Sequence, residues 1–529
     1  MIRSLWRLFL WILLGFVTAP ASAADEHAEH AVLGTVHFPV TCAPEAQQAF
    51  DEAMKLQHSF WYQAAHDTFS EVLRHDPECA MAYWGIAMTL LTNPFSPPPA
   101  QNLADGWAAL EQARQLGAKS QREADYIAAL SAFYRESDTK DHRTRVLGYE
   151  EAMAQLHARY PDDSEAAIHY ALALNVAALP TDKTYAKQLQ AAEILETEFA
   201  RQPDHPGVVH YLIHTYDYPP LAERGLVAAD RYADLAASAP HALHMPSHIY
   251  TRLGLWDRSI ETNRRSAEVA RAGKEANGEL HARDYMVYAY LQTGQDEAAR
   301  QAIADAMQFA GTESTSAAGP FALAAMPARF ALERGAWEEA ANLTPRQSGF
   351  AFADAITHFA RAVGLARSGN PAAAAADVEA LQRLADSLRE KNAYWAQQVD
   401  IQQMAATAWI AYAEGRRDEA LEMMQRAVDL EAGTEKHVIT PGPLAPAREQ
   451  LAEMLLEADR PGDALKEFEA VQQVEPNRLR ALYGAGRAAE LAGNTAAAKR
   501  YYGQVVQVAA AADTARPEIG TARAFVAAN

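Results

Sequence analysis

Cysteine is almost missing: Cys42 and Cys79 are the two in 529 residues. That excludes a disulfide-dense small scaffold, and the lack of a CxxC pair removes the usual thiolate zinc sites. Alternating runs of β-branched residues are nearly absent as well, which argues against a sheet protein. Basic charge is in short supply, with 47 Lys and Arg against 68 Asp and Glu and a net charge of −21. So acidic a chain repels polyanions, and neither nucleic acid nor anionic lipid is an expected partner. No HExxH, GxSxG or Walker loop occurs, and no serine–histidine arrangement can be defended. "GAGRAAELAG" at 484–493 follows a helical pattern rather than a strand, so no nucleotide cofactor is expected. No catalytic residue can be assigned.

The chain opens with Arg3 and Arg7, an apolar run from Leu8 to Val17, and Ala21-Ser22-Ala23. A basic head, short apolar core and small-x-small exit read as a cleavable secretory signal over residues 1–23. No later stretch is apolar enough to cross a membrane, so the expectation is a periplasmic or secreted protein with no integral membrane segment after cleavage. In an oxidising compartment the cysteine pair is expected to form a Cys42–Cys79 disulfide.

What fills the rest is helix-forming sequence rich in Ala, Leu, Glu and Arg at three-four spacing. A turn motif recurs, as in "LGLWDRSIETNRRSAEVA" (253–270), "QTGQDEAARQAI" (292–303), "EADRPGDALKEF" (457–468) and "LAGNTAAAKRYY" (491–502). Turn positions 459 and 493 stand 34 apart, the tetratricopeptide (TPR) period. In "WYQAAHDTFSEVLRHDP", Ala65, Phe69 and Pro77 supply the small residue, the large residue and the stop of such a repeat. The fold class is therefore all-α, a right-handed superhelical solenoid of TPR-like helix-turn-helix repeats. Its expected divisions are an N-terminal extension (24–40), a first array (41–310) and a second array (311–529).

The blocks "HFPVTC", "HSFWY", "CAMAYWG", "HPGVVHYLIHTYD", "APHALHMPSHIYTRLGLW" and "PGPLAPARE" resemble those of a group of exported bacterial TPR proteins. The likeness covers nearly the whole mature chain and is most specific in the histidine blocks. It implies the solenoid fold and export, and it carries no mechanism. Pro219-Pro220, where other repeats have a turn glycine, predicts an irregular turn there.

Six of the 18 histidines fall within residues 205–248. His210 and His244 are 34 apart, as are His214 and His248, and each pair has i, i+4 spacing that puts both imidazoles on one helix face. One repeat period apart, the pairs occupy equivalent positions on the first helices of adjacent repeats, which in such arrays line the concave groove. His241, His244 and His248 lie 13, 10 and 6 residues before Gly254; the same offsets before Gly294 give His281, Asp284 and Tyr288. Asp217 and Tyr216 can join from the other side, and Tyr211, Tyr216, Tyr250 and Tyr288 would line a recognition surface.

Three readings compete: packing histidines, a metal-free surface gripping a protein or peptide, and a transition-metal site on His210, His214, His244 and His248. The metal reading has the geometry by which helix pairs hold ions, and neutral imidazole suits zinc, copper, iron or nickel. Met245 is the one nearby sulfur, so the donor set points to Zn(II) or Cu(II), with affinity favouring copper. If a position stays open, Asp217 or Asp284 is a candidate general base for an enzyme. "HVITPGPLAPARE" (437–449) reads as a loop, a linker by preference over a fold-back across the groove, and "TNPFSPPPAQN" (92–102) as a second loop, facing a partner.

Overall fold

A computed structural model describes residues 31–311, 314 and 316–528. The expected signal segment and His27 and His30 lie outside the described residues. Among those described there is helix and no strand. Helices pack chiefly against their chain neighbours, as a stack of helix-turn-helix units requires.

The packing code is visible at both ends of the chain. Phe69, on helix Tyr62–His75, fills the gap left by Gly85 on the next helix, where an added Cβ would meet the ring at 2.4 Å. Phe468 and Gly484 repeat that arrangement near the C-terminus, at 2.3 Å. A large residue on one helix and none on its neighbour let the two axes approach without a void. The units are closed by glycines held in the left-handed region, Gly254 at φ +63° and Gly294 at φ +72°. The Pro219-Pro220 turn is irregular, a 3₁₀ segment at Ala222–Gly225 preceding helix Leu226–Leu235.

Two large apolar clusters result, one from Leu33 to Tyr250 and one from Phe321 to Ala522, with a smaller one around Leu280–Phe330 between them. The later units also fold back onto the middle ones. Trp256 Nε1 donates to the Asn477 carbonyl at 2.9 Å, and Arg516 Nε sits 3.0 Å from both oxygens of Asp296. Arg478, fully buried, reaches Glu333, Glu449 and the Tyr288 hydroxyl.

Cys42 and Cys79 are joined, with Cα atoms 5.1 Å apart, closing a 37-residue separation around the first repeat. In the chain-entropy account such a loop contributes about 3–4 kcal/mol. Reduction with alkylation is expected to lower the urea midpoint of the folded protein by a corresponding amount. An unchanged midpoint would show that the apolar contacts of Phe38, Phe50 and Trp84 hold this repeat unaided.

Residues 433–446 form no helix, yet they are not a linker. The backbone N–H of Glu435 donates to the Pro180 carbonyl, Lys183 Nζ to the Thr434 carbonyl, and Arg329 Nη1 to the Pro443 carbonyl. The segment is a strap across the interior of the solenoid. Its proline content explains why periodicity could not place it: beyond a few local bonds such as Thr440 Oγ1 to the Gly442 carbonyl, it is held by groups from distant repeats.

Candidate metal centre

Helix Pro206–Tyr216 begins with His205 as its N-cap and Pro206 at its first position. It carries His210 and His214 one turn apart. The second pair was expected on one continuous helix. Instead it straddles two short segments, Pro240–His244 and Pro246–Arg252, because Pro246 lacks the donor a continuous helix needs. His244 and His248 nevertheless remain one above the other. His281 comes from helix Ala276–Gln292 in the next repeat.

The imidazoles converge, but not as one set of four. Potential ligand atoms of His210, His214 and His241 lie within 4.8 Å of one another, and those of His244, His248 and His281 do likewise. His210 Nε2 is 3.1 Å from His214 Nε2 and 3.2 Å from His241 Nε2, and His244 Nε2 is 3.1 Å from His248 Nε2. The sets adjoin: ring centroids are 5.9 Å apart for His214 and His248, and 6.0 Å for His241 and His244.

Partners on the other ring nitrogens determine which protons these rings carry. His248 Nδ1 is 2.8 Å from Asp217 Oδ2, a carboxylate that can only accept. His244 Nδ1 is 2.6 Å from Asn263 Oδ1, and the Asn263 amide group is oriented by its own donation to the Ser259 carbonyl. His210 Nδ1 is 2.7 Å from the His58 carbonyl. Each of these three Nδ1 atoms therefore donates, and the Nε2 of each neutral ring is a bare lone pair. At His244 and His248 two such lone pairs face each other at 3.1 Å with no proton to share. A cation between them turns that repulsion into ligation, and the outward Nδ1–H bonds are the orienting partners that metal-binding imidazoles use.

Burial favours the neutral form. His210, His214, His241, His244 and His281 are held well below the usual histidine range, by burial first and by neighbouring imidazoles second. His248 is lowered less, because Asp217 opposes the effect of burial. Asp217 itself is pushed up by burial, but Lys436, Arg252 and His248 outweigh this and keep it well below the usual carboxylate range. It accepts from His248 Nδ1, Arg252 Nε at 2.8 Å and Lys436 Nζ at 3.0 Å. So committed, it is an orienting group rather than a free general base.

Several expectations need correction. The histidines do not line an open groove: His210, His214, His244 and His248 are at most 5 % exposed. They are roofed by the strap, whose Lys436 reaches Asp217 and whose Val438 and Thr440 carbonyls accept from Tyr285. The other loop packs Phe95 on His214, ring centroids 4.7 Å apart, so it covers the centre rather than facing a partner. Tyr211 is turned away from any ligand, 3.0 Å from His58 Nδ1. Tyr288 points to Glu475 and Arg478, and the ring beside His244 is Tyr285, at 4.6 Å. Asp284 lies next to Arg329 at 3.7 Å, and burial raises its carboxyl to about 6. The repeat offset carried over to His281 and missed at Tyr288 because the broken helix Pro240–Arg252 has no exact counterpart in the continuous Ala276–Gln292.

Residues outside the expected set support it. His58, from the "HSFWY" block, gives its carbonyl to His210, while its Nε2 and that of His205 flank Glu165 at 3.0 and 2.9 Å. His58, Glu165 and His169 also come together as a potential ligand group. However, Glu165 and Tyr211 already engage both nitrogens of His58, so this group reads as a hydrogen-bonded buttress. Gly207 lies against it, an added Cβ falling 2.4 Å from His58 Nδ1. Gly207→Ala is expected to displace His58 and cost about 1–3 kcal/mol, as overpacking of a filled core does. Urea unfolding checks this, and a neutral result would mean the ring shifts freely.

On the far side of the strap lies a cavity of about 410 Å³, lined among others by Tyr185, Phe321, Tyr394, Trp395, Arg252 and Lys436. Arg252 and Lys436 thus border the cavity while gripping the carboxylate that orients His248.

No family model matches the sequence, and no curated protein matches it. Among solved structures, a human IFIT1 dimer with m7Gppp-AAAA is similar at 12% identity and TM-score 0.37, over 90% of this chain and 92% of that one. Yeast Tom70 is similar at 11% identity and TM-score 0.34, over 92% and 95%. The TPR domain of P58(IPK) is similar at 10% identity and TM-score 0.21, over 92% and 99%. These likenesses concern the helical-repeat architecture and bring no site with them.

Proposed function

We propose that this chain is an exported TPR-like solenoid whose middle repeats hold a transition metal, zinc or copper, in a buried histidine centre. The observation that carries the reading is the facing pair His244 Nε2 and His248 Nε2 at 3.1 Å, each ring having its other nitrogen committed as a donor. Packing histidines would be free to place an N–H between two such atoms; here Asp217 and Asn263 prevent it. Ligands drawn from successive repeats also mean that only the folded array assembles the site, so binding and folding are coupled. The test is metal analysis of full-length protein purified without a histidine tag, followed by zinc and copper titration with thermal unfolding. Stoichiometric uptake with a raised Tm is expected; protein that takes up neither ion would sink the proposal.

A second reading, a protein- or peptide-binding scaffold without metal, is favoured by the cavity beside Trp395 and Tyr394. It predicts that partner capture is indifferent to chelator and sensitive to Trp395→Ala. Capture lost on chelation counts against it.

A further inference from the structure

We infer that the centre is dinuclear: a pair of copper ions, one on His210, His214 and His241, the other on His244, His248 and His281. The inference rests on the metal reading above and deepens it by fixing the number and kind of ions.

Repetition of the site along the solenoid is the first ground. Each set consists of an i, i+4 pair from one repeat and a third histidine from the following repeat. His241 joins the first pair at 3.2 Å from His210 Nε2, and the His281 ring lies 4.4 Å from that of His244. The two sets are therefore one design used twice, a single repeat apart. His210 and His244 occupy the same place in it, as do His214 and His248.

Ligand number is the second ground. With metal–nitrogen bonds of about 2.0–2.1 Å, one ion accommodates roughly four imidazoles, not six. Within each set the potential ligand atoms are mutually within 4.8 Å, the span of one ion's coordination shell. Facing ring centroids of the two sets are only 5.9 and 6.0 Å apart. Adjoining sets are the arrangement in which two ions share a bridging oxygen ligand, as two-metal sites do at separations of about 3.5–4 Å.

Donor chemistry is the third. All six ligands are neutral nitrogen donors. Asp217, the carboxylate beside them, is already taken by Lys436, Arg252 and His248. Sets without carboxylate disfavour magnesium, calcium and manganese, and sets without thiolate disfavour iron–sulfur and soft structural sites. Among divalent ions, three-imidazole sets bind Cu(II) most strongly. Three protein nitrogens leave a position open on each ion, available to a ligand shared between the adjoining sets.

The experiment is a Cu(II) titration of the full-length, tag-free protein, with copper counted by mass spectrometry and unpaired spin by electron paramagnetic resonance. The expected result is two coppers per chain and an integrated spin far below the copper present, because bridged ions couple. His241→Ala and His281→Ala should each bind one copper with full spin, while circular dichroism confirms the helical fold. One copper per wild-type chain would overturn the pair and leave metal binding intact. Two coppers with full spin would overturn the shared centre. Retention of zinc in preference to copper would overturn the choice of ion. No uptake of either metal would mean that the metal reading itself has failed.

Discussion

His248→Ala is expected to weaken zinc or copper binding at least 100-fold at the set it shares with His244 and His281, with a smaller metal-dependent rise in Tm than the wild type. Loss of an outer partner of a metal-bound imidazole alone costs about 10–100-fold, and removal of the ligand itself costs more. His248 is held between Asp217 at 2.8 Å and His244 at 3.1 Å, so its ring is oriented for ligation before any metal arrives. A metal at a thousand times its Kd stabilises the folded state by about 4 kcal/mol, and this set's share of the rise should vanish. His358→Ala is the control: that ring pairs with Asp377 at 2.6 Å, away from the cluster. Equal metal binding by the two variants would exclude His248 as a ligand. Without metal, the lowered histidines set the acid response. A group whose folded pKa is depressed contributes stability above the unfolded value of about 6.5, and this is lost as pH falls toward the folded one. For His58, which burial lowers to about 4 against the pull of Glu165, that window runs from about 6.5 down to about 4. The urea midpoint of metal-free protein should fall across it.

Asp217→Ala should destabilise the protein by about 3–5 kcal/mol, the usual result of leaving buried charges without their partner. Lys436 and Arg252 both meet this carboxylate while buried, and burial brings the Lys436 ammonium down to about 8 even with Asp217 present. Without it, the strap loses its anchor to helix Pro206–Tyr216 and His248 loses the acceptor that orients it. The variant should therefore show both a lower urea midpoint and weaker metal binding. Asp217→Asn, which keeps one acceptor oxygen, should fall between. A loss below about 1 kcal/mol for the alanine variant would show that Glu435, 3.8 Å from Arg252, takes over.

Much of this was legible in the sequence because it depends on local periodicity. Three-four spacing of apolar residues and the recurring turn specify paired helices, and stacking is the way such pairs bury their faces. The 34-residue interval between His210 and His244, and between His214 and His248, places both pairs on the same side of successive repeats. The Gly254 and Gly294 offsets led on to His281. Those are statements about register, and register is set by the chain's own period. Tertiary structure alone decided the rest. Whether the imidazoles lined an open groove or a largely buried centre depended on Phe95 and on a strap more than 150 residues away, which has no periodicity to read. That Asp217 orients His248 instead of acting as a base follows from Lys436 and Arg252, long-range partners that set its charge state. The grouping of six histidines as two threes depended on ångström-scale ring placement, which i, i+4 spacing constrains to a helix face but not to a common point. Repeat periodicity says which residues look into the solenoid, and only close packing of distant segments determines what they meet there.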